Sequence, residues 1–172
     1  MLFETERLYV RELNKSDTEL FAKMQGNANV MKYVTGRPKT KEESINELEK
    51  IIHIDKKTNR EFIIMAVVRK DSNKFVGTCA VIKNDDGEHE IGYRFIEEYW
   101  GNGYGKEVVG GLIKFAFQTL SLKQIVAHVN KENYPSIKIL HSLNFHFIRE
   151  YRESETGDLV SYYKISKLDY KE

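Results

Sequence analysis

One cysteine, no dominant charge and no long apolar run: each lack removes a class of protein. Cys79 stands alone, so no internal disulfide forms. It lies in an apolar run, where a buried, inert thiol is expected. The 27 basic and 26 acidic residues leave a net charge of +1, which gives no electrostatic case for nucleic acid or an anionic membrane as partner. No apolar segment approaches the roughly 20 residues of a bilayer span. Met1-Leu2-Phe3-Glu4 lacks the charged-then-apolar pattern of a secretory signal, so the expectation is a soluble, cytoplasmic protein. No linker, repeat or low-complexity segment interrupts the 172 residues, and one domain over 1–172 is expected. The five histidines do not form a metal-ligand pattern. His89-Glu90 lacks a second histidine at the zincin spacing, so no metal is expected.

What is present is an alternation of strand-like and helix-like segments. Positions 7–13 alternate loosely and read as a strand. Ser16 or Asp17 is placed to cap a helix carrying Leu20, Phe21 and Met24. Thr40 and Glu43 have capping-box spacing, followed by Ile45, Leu48 and Ile52 at helical intervals, with Ile51 alongside. Phe62 to Val68 and Phe75 to Ile82 are nearly continuous apolar runs joined by the turn Lys70-Asp71-Ser72-Asn73-Lys74, which predicts a hairpin covered on both faces. Asp85-Asp86-Gly87 turns into a third strand, His89 to Ile96. A helix is predicted over 103–118, with Val108, Val109, Leu112, Ile113, Ala116 and Leu120 buried. Then come a strand over 124–129, a helix over 133–143 and a closing hairpin of 147–153 and 159–166. The order is that of an α/β protein with a mixed sheet.

The most informative stretch is Trp100-Gly101-Asn102-Gly103-Tyr104-Gly105. It follows a strand and opens a helix. A helix start leaves backbone N–H groups without partners, and its dipole favours negative charge by about 0.3–1 kcal/mol per exposed charge. Glycines let a ligand approach those groups, and Lys106 adds a cation. The chemistry is that of a phosphate or pyrophosphate site. It is not a Walker loop, because three residues separate Gly101 from Gly105 and Glu107 follows Lys106. Nor is it a dinucleotide fingerprint, whose third glycine would fall on Lys106.

With its neighbours, this turn resembles the acyl-CoA loop of the GCN5-related N-acetyltransferase (GNAT) family. That loop reads Gln/Arg-x-x-Gly-x-Gly/Ala, and Gly103 and Gly105 match its two small positions. Trp100 stands at the Gln/Arg position, so that side-chain contact is not carried over. Glu4-Thr5-Glu6-Arg7-Leu8-Tyr9-Val10-Arg11-Glu12-Leu13, Glu90-Ile91-Gly92-Tyr93, Tyr99-Trp100-Gly101, Asn133-Tyr134-Pro135-Ser136 and Asn144-Phe145 are similar to words of the ribosomal-protein N-acetyltransferase branch. The resemblance covers nearly the whole chain. It implies the acyl-CoA N-acyltransferase fold: a mixed, centrally splayed β-sheet with helices on both faces. It implies acetyl-CoA or coenzyme A as co-substrate, held by Gly101, Asn102, Gly103, Tyr104, Gly105 and Lys106, with the pantetheine beside Phe95 and Ile96. It also implies that Asn133 contacts the cofactor and Ser136 faces its sulfur. Where many members carry a tyrosine that protonates the thiolate, this chain has Leu140.

Acetyl transfer requires deprotonation of the amine, polarisation of the thioester carbonyl, donors for its oxygen, and stabilisation of the leaving thiolate. Ser136 is the candidate for the last. Its competing reading is structural: Asn133 is a favoured N-cap and Pro135 suits a first turn. Backbone N–H groups of a splayed strand suit the second and third demands. Glu90 is the candidate base, with Glu150, Glu153 and Glu155 behind it. Tyr33 and the Tyr162-Tyr163 pair are candidates to line an acceptor pocket. The expected function is acetylation of a primary amine, either a protein N-terminus or a small molecule. A homodimer is compatible with the reading. The alternatives are a catalytically weak acyl-CoA-binding module and an unrelated nucleotide-binding domain.

Overall fold

The computed structural model describes residues 1–54 and 61–170. Strand β1 (Phe3–Glu4) pairs with β2 (Leu8–Glu12). Three helices follow: α1 (Thr18–Gln25), α2 (Ala28–Met31) and α3 (Lys41–His53). Strands β3 (Phe62–Arg69), β4 (Phe75–Lys83) and β5 (His89–Phe95) form an antiparallel meander. Helix α4 (Tyr104–Lys114) leads to β6 (Gln124–Asn130), α5 (Tyr134–Ser142), β7 (His146–Arg152) and β8 (Leu159–Ser166). The sheet order is β1-β2-β3-β4-β5-β6-β8-β7. The only parallel contact in it, among the described residues, joins β5 to β6.

Strand parity explains the two layers of helices. On β3, Met65 and Val67 point to one face, while Ile64, Ala66 and Val68 point to the other. The first face packs against α4 and α5 through Val108, Leu112 and Leu140, and the second against α1–α3 through Phe21, Met24, Met31 and Leu48. Both faces of these strands are therefore apolar because both are covered. Each fully buried Leu or Phe contributes about 1.5–3 kcal/mol from removal of apolar surface.

Several local expectations are refined. Thr40 and Glu43 do form a reciprocal capping box, the Glu43 N–H donating to Thr40 Oγ1 at 3.1 Å and the Thr40 N–H to Glu43 Oε2 at 2.8 Å. The stripe that α3 buries is Ser44, Leu48 and Ile51, rotated slightly from 45-48-52. Asn14, rather than Ser16 or Asp17, supplies the side-chain cap before α1, on a short 3-10 turn over Lys15–Asp17. The Asp17 carboxylate closes that capping box by accepting the Asn14 N–H at 2.9 Å, and it also receives both arms of the Arg11 guanidinium, at 2.8 and 2.7 Å. After Lys114 the helix widens into a π-helical turn, Phe115–Thr119, in which the Leu120 N–H donates to the Phe115 carbonyl. That wider turn buries Phe115, Ala116 and Phe117 in succession, which a 3.6-residue period does not predict, and leaves Leu120 only partly buried.

Candidate active site

The site begins where β5 and β6 part. The two strands are in register at one pair, Glu90 opposite Val126. Beyond it β5 stays with β4 through Phe95, with no register shift, while β6 stays with β8. Backbone groups in an antiparallel ladder alternate in direction. Ile96 donates its N–H to the Val76 carbonyl on the β4 side, so the amides of Tyr93 and Phe95 face the opening toward β6. These are the N–H groups available to polarise a carbonyl lying in the gap.

Side-chain parity divides the opening into two mouths. Ile91, Tyr93 and Phe95 point toward α4 and α5. Glu90 and Arg94 point the other way, Arg94 reaching Met31 of α2 and Glu47 of α3. The Arg94–Glu47 separation is 3.7 Å. Burial lowers the Arg94 pKa from its ordinary value against the pull of Glu47.

At the α4/α5 mouth, Tyr93 and Ser136 meet. Ser136 lies in the first turn of α5, where the Asn133 side chain accepts its N–H at 3.4 Å and Pro135 occupies the first turn. The helix-start role expected of Asn133 is thus realised. The Tyr93 hydroxyl is buried against the Ser136 side chain. Burial raises the phenol above its usual pKa, and Ser136 works in the opposite direction. Leu140 is fully buried in the core one turn further along α5.

Above this mouth sits the glycine turn. Gly101 and Gly103 have φ of +76° and +78°, a left-handed backbone that side chains disfavour. Gly103 opens α4 with no side-chain cap, and the Glu107 N–H makes the bond to the Gly103 carbonyl. The preceding amides therefore stay available to an anion. Gly105 serves a different purpose. A Cβ there would stand 2.8 Å from Ile139 Cδ1 and 3.8 Å from Tyr93 Cε2, so glycine lets α5 and β5 close against α4. Tyr104 is buried against Phe95, Lys106 is exposed, and Asn102 donates its side-chain amide to the Tyr99 and Trp100 carbonyls at 3.0 and 3.1 Å.

Two residues brace the turn from outside. The Trp100 indole N–H donates to the Phe95 carbonyl at 3.0 Å. Its polar atom is thus committed to the loop, while the ring stays 47% exposed. Arg7, at the entry to β2, donates to the Asn102 carbonyl at 2.9 Å and to Glu107 at 2.7 Å, and its guanidinium lies over the Tyr104 ring. Burial works to raise the Glu107 carboxyl. The Thr5 hydroxyl and the Arg7 N–H and guanidinium outweigh it and hold the carboxyl below the usual range. In the sequence Arg7 stands only within a strand-like word. No local signal marks a contact that spans about a hundred positions.

Phe95 and Ile96 depart from a simple lining role. Their side chains are buried, Phe95 in the α4/α5 core and Ile96 in the α1–α3 core. What Phe95 presents to the gap is its backbone amide, while the Ile96 N–H and carbonyl are committed to Val76 and Tyr99. A cavity of about 350 Å³ lies on the α1 side, lined by Lys23, Met24, Asn27, Ile96, Glu97 and Glu98, away from Ser136.

At the opposite mouth, Glu90 is largely buried at the parting point. Burial raises its carboxyl pKa, against the Asn84 side chain and the His128 backbone N–H beside it. A carboxylate so shifted is closer to a useful base. The other candidates are occupied or remote. Glu150 pairs with Lys131 at 2.9 Å, Glu153 accepts the Thr156 hydroxyl at 2.8 Å within its turn, and Glu155 is exposed. Tyr162 and Tyr163 do not act as a pair, because neighbours on a strand face opposite sides. Tyr163 enters the α4/α5 core and meets His141 at 3.2 Å. Tyr162 stacks on His128 on the other face and donates to Glu88 at 2.6 Å. Tyr33 crosses from the segment after α2 and donates to the Glu132 carbonyl at 3.3 Å, bridging the two halves beside the opening.

A mixed sheet parted between two parallel strands, with an uncapped glycine turn over the parting, is the acyl-CoA N-acyltransferase architecture. The chain belongs to the GNAT family: residues 7–146 match the acetyltransferase (GNAT) domain. It is 33% identical over 172 aligned positions to the uncharacterized N-acetyltransferase p20 of Bacillus licheniformis, covering 95% of this chain and 94% of that protein. Its fold is similar to that of ribosomal-protein-S5-alanine acetyltransferase from Vibrio fischeri, with a TM-score of 0.80, 22% identity and coverage of 99% and 98%. It is also similar to that of spermidine N-acetyltransferase from Vibrio cholerae, solved with CoA and spermine, with a TM-score of 0.81, 20% identity and coverage of 95% and 98%. The protein is an acetyl-CoA-dependent N-acetyltransferase.

Proposed function

We propose that this chain, as one domain over residues 1–172, acetylates a primary amine, either a protein N-terminus or a small molecule, with the acceptor entering from the α1–α3 side. The observation that carries the reading is the parting of β5 and β6 after Glu90 and Val126, with Glu90 at one mouth and Ser136 at the other. Acetyl-CoA supplies the activated acetyl group as a thioester. The amides of Gly103, Tyr104, Gly105 and Lys106 at the start of α4 bind its pyrophosphate, with Gly101 and Asn102 shaping the turn and Asn133 beside it. The Phe95 and Tyr93 amides orient and polarise the acyl carbonyl. Glu90 takes a proton from the acceptor amine, directly or through one water. Ser136 faces the sulfur. The fold neighbours named for S5 alanine and for spermidine support both acceptor classes.

Its place is the cytoplasm. Among the described residues no helix is long and apolar enough to cross a membrane, and the lone Cys79 is buried. The test is thiol release from acetyl-CoA in the presence of two panels, polyamines and other small amines in one and N-terminal peptides in the other. Turnover confined to one panel assigns the acceptor class. CoA binding without turnover of any amine overturns the catalytic reading in favour of an acyl-CoA-binding module.

A further inference from the structure

We propose that the acceptor sits over Gly92 and carries, besides its amine, a carboxylate held by Arg94. The substrate class is an amino-carboxylate, either a free amino acid or a peptide N-terminus with an acidic first side chain. The inference rests on the reading above and deepens it.

The seat is a hollow in the sheet. Gly92 is exposed although β5 is an interior strand. By strand parity it faces the same way as Glu90 and Arg94, toward the α1–α3 side. A Cβ built on it would meet nothing within 4 Å among the described residues. Its register partner on β4 is Ala80, also small. Two short residues side by side thus leave open space on a face where neighbouring positions pack against α1–α3. The hollow adjoins the reacting atoms, because the Gly92 carbonyl carbon is bonded to the Tyr93 nitrogen, an amide that faces the opening.

Glu90 and Arg94 mark its two ends, each two residues from Gly92, about 6.6 Å along the strand. The Arg94 side chain is only 16% exposed, yet its contacts are long. Thr78 Oγ1 lies at 3.4 Å, Met31 Sδ at 3.6 Å and Glu47 Oε1 at 3.7 Å. A well-paired guanidinium makes bonds of about 2.7–2.9 Å, as Arg11 does to Asp17 at 2.8 and 2.7 Å. Glu47 is moreover shared, since its other oxygen pairs with Lys39. Two cations and one carboxylate leave a positive charge over, and burial makes that costly. A carboxylate on the acceptor supplies the missing charge and takes two guanidinium bonds at once. A second ammonium would be repelled there. With its carboxylate at Arg94, the acceptor directs its amine toward Glu90 and the opening.

The test is thiol release from acetyl-CoA with two matched sets of acceptors. One set is alanine, alaninamide and 1,2-diaminopropane. The other is a peptide beginning with Asp and its counterpart beginning with Asn. Arg94→Gln is expected to lower kcat/KM about tenfold more for the carboxylate-bearing acceptors than for the others. Comparing each acceptor with itself in the two proteins cancels the acceptor's own pKa. A loss confined to one set names the source, and Arg94→Lys should restore part of it. Gly92→Val should raise the acceptor KM about tenfold without changing CoA affinity by calorimetry, since CoA occupies the other mouth. The backbone at Gly92 is ordinary strand with no positive φ, so this variant serves where Arg94→Gln fails to fold. Equal losses across all acceptors, turnover of the diamine alone, or an unchanged acceptor KM in Gly92→Val overturns the proposal and leaves the acetyltransferase reading standing. CoA binding without turnover of any amine overturns both.

Discussion

Glu90 on β5 and Val126 on β6 form the one registered pair between the two strands among the described residues. Two residues further, the His128 N–H of β6 lies against the Glu90 carboxyl. The carboxyl sits at the start of the opening, in the low-dielectric position that raises its pKa.

A pH profile tests this directly. If Glu90 is the base, kcat/KM should rise with pH through its carboxyl, and Glu90→Gln should abolish the rise and lower the neutral-pH rate. The comparison needs two accepted amines of different pKa. A rise that follows each acceptor's own pKa in both proteins eliminates Glu90. Stability supplies the second sign. A carboxyl whose pKa is raised on folding lowers stability as pH climbs from its unfolded value through its folded one. Urea denaturation should therefore show Glu90→Gln gaining on wild type above that window and converging with it below.

Two glycines of the turn, Gly103 and Gly105, should respond differently. Gly103→Ala places a side chain at φ +78° and should cost about 1–2 kcal/mol of stability, with weakened CoA binding. Gly105→Ala meets only the movable end of Ile139 and should be tolerated better. Gly105→Glu fills the approach and adds like charge, and should abolish CoA binding by calorimetry. Unchanged affinity in that variant would remove the turn from the cofactor site.

Arg7→Ala should weaken CoA binding although Arg7 lies outside the loop sequence. It removes the bond to the Asn102 carbonyl and strips Glu107 of its cation in the first turn of α4. Arg7→Ala combined with Glu107→Gln should recover part of the loss, because an unpaired carboxylate no longer faces the pyrophosphate. The double-mutant cycle by calorimetry decides between a positional and an electrostatic contribution.

Ser136→Ala should lower kcat with little change in acetyl-CoA affinity, since the hydroxyl is used as sulfur departs. Full kcat with only a lowered melting temperature would return Ser136 to a helix-start role.

Tyr93→Phe and Leu140→Ala should separate function from packing in the ligand-free protein. Removing the Tyr93 hydroxyl, which rests against Ser136, should change stability by no more than about 1.5 kcal/mol. Leu140→Ala leaves a cavity in the α4/α5 core and should cost about 2–5 kcal/mol. Chemical denaturation of both variants makes the comparison.

The elements were legible in the sequence because their signals are local. Continuous apolar runs on β3 and β4 fixed a sheet covered on both faces. The Thr40–Glu43 spacing fixed a helix start, and the spaced glycines fixed an uncapped α4. Even the parity that puts Glu90 and Tyr93 on opposite faces follows from the strand's two-residue period. Short elements such as β1 and α2 escaped, because they are too brief for a periodicity and exist by packing on their neighbours. The π-helical turn escaped because its burial pattern matches no regular period. Tertiary structure alone decided the rest. Nothing near position 7 says that its guanidinium holds Glu107 and the Asn102 carbonyl. Nothing near position 93 says that its hydroxyl ends beside Ser136. Those relations join residues far apart in the chain, and only the packing of the sheet against its helices brings them together.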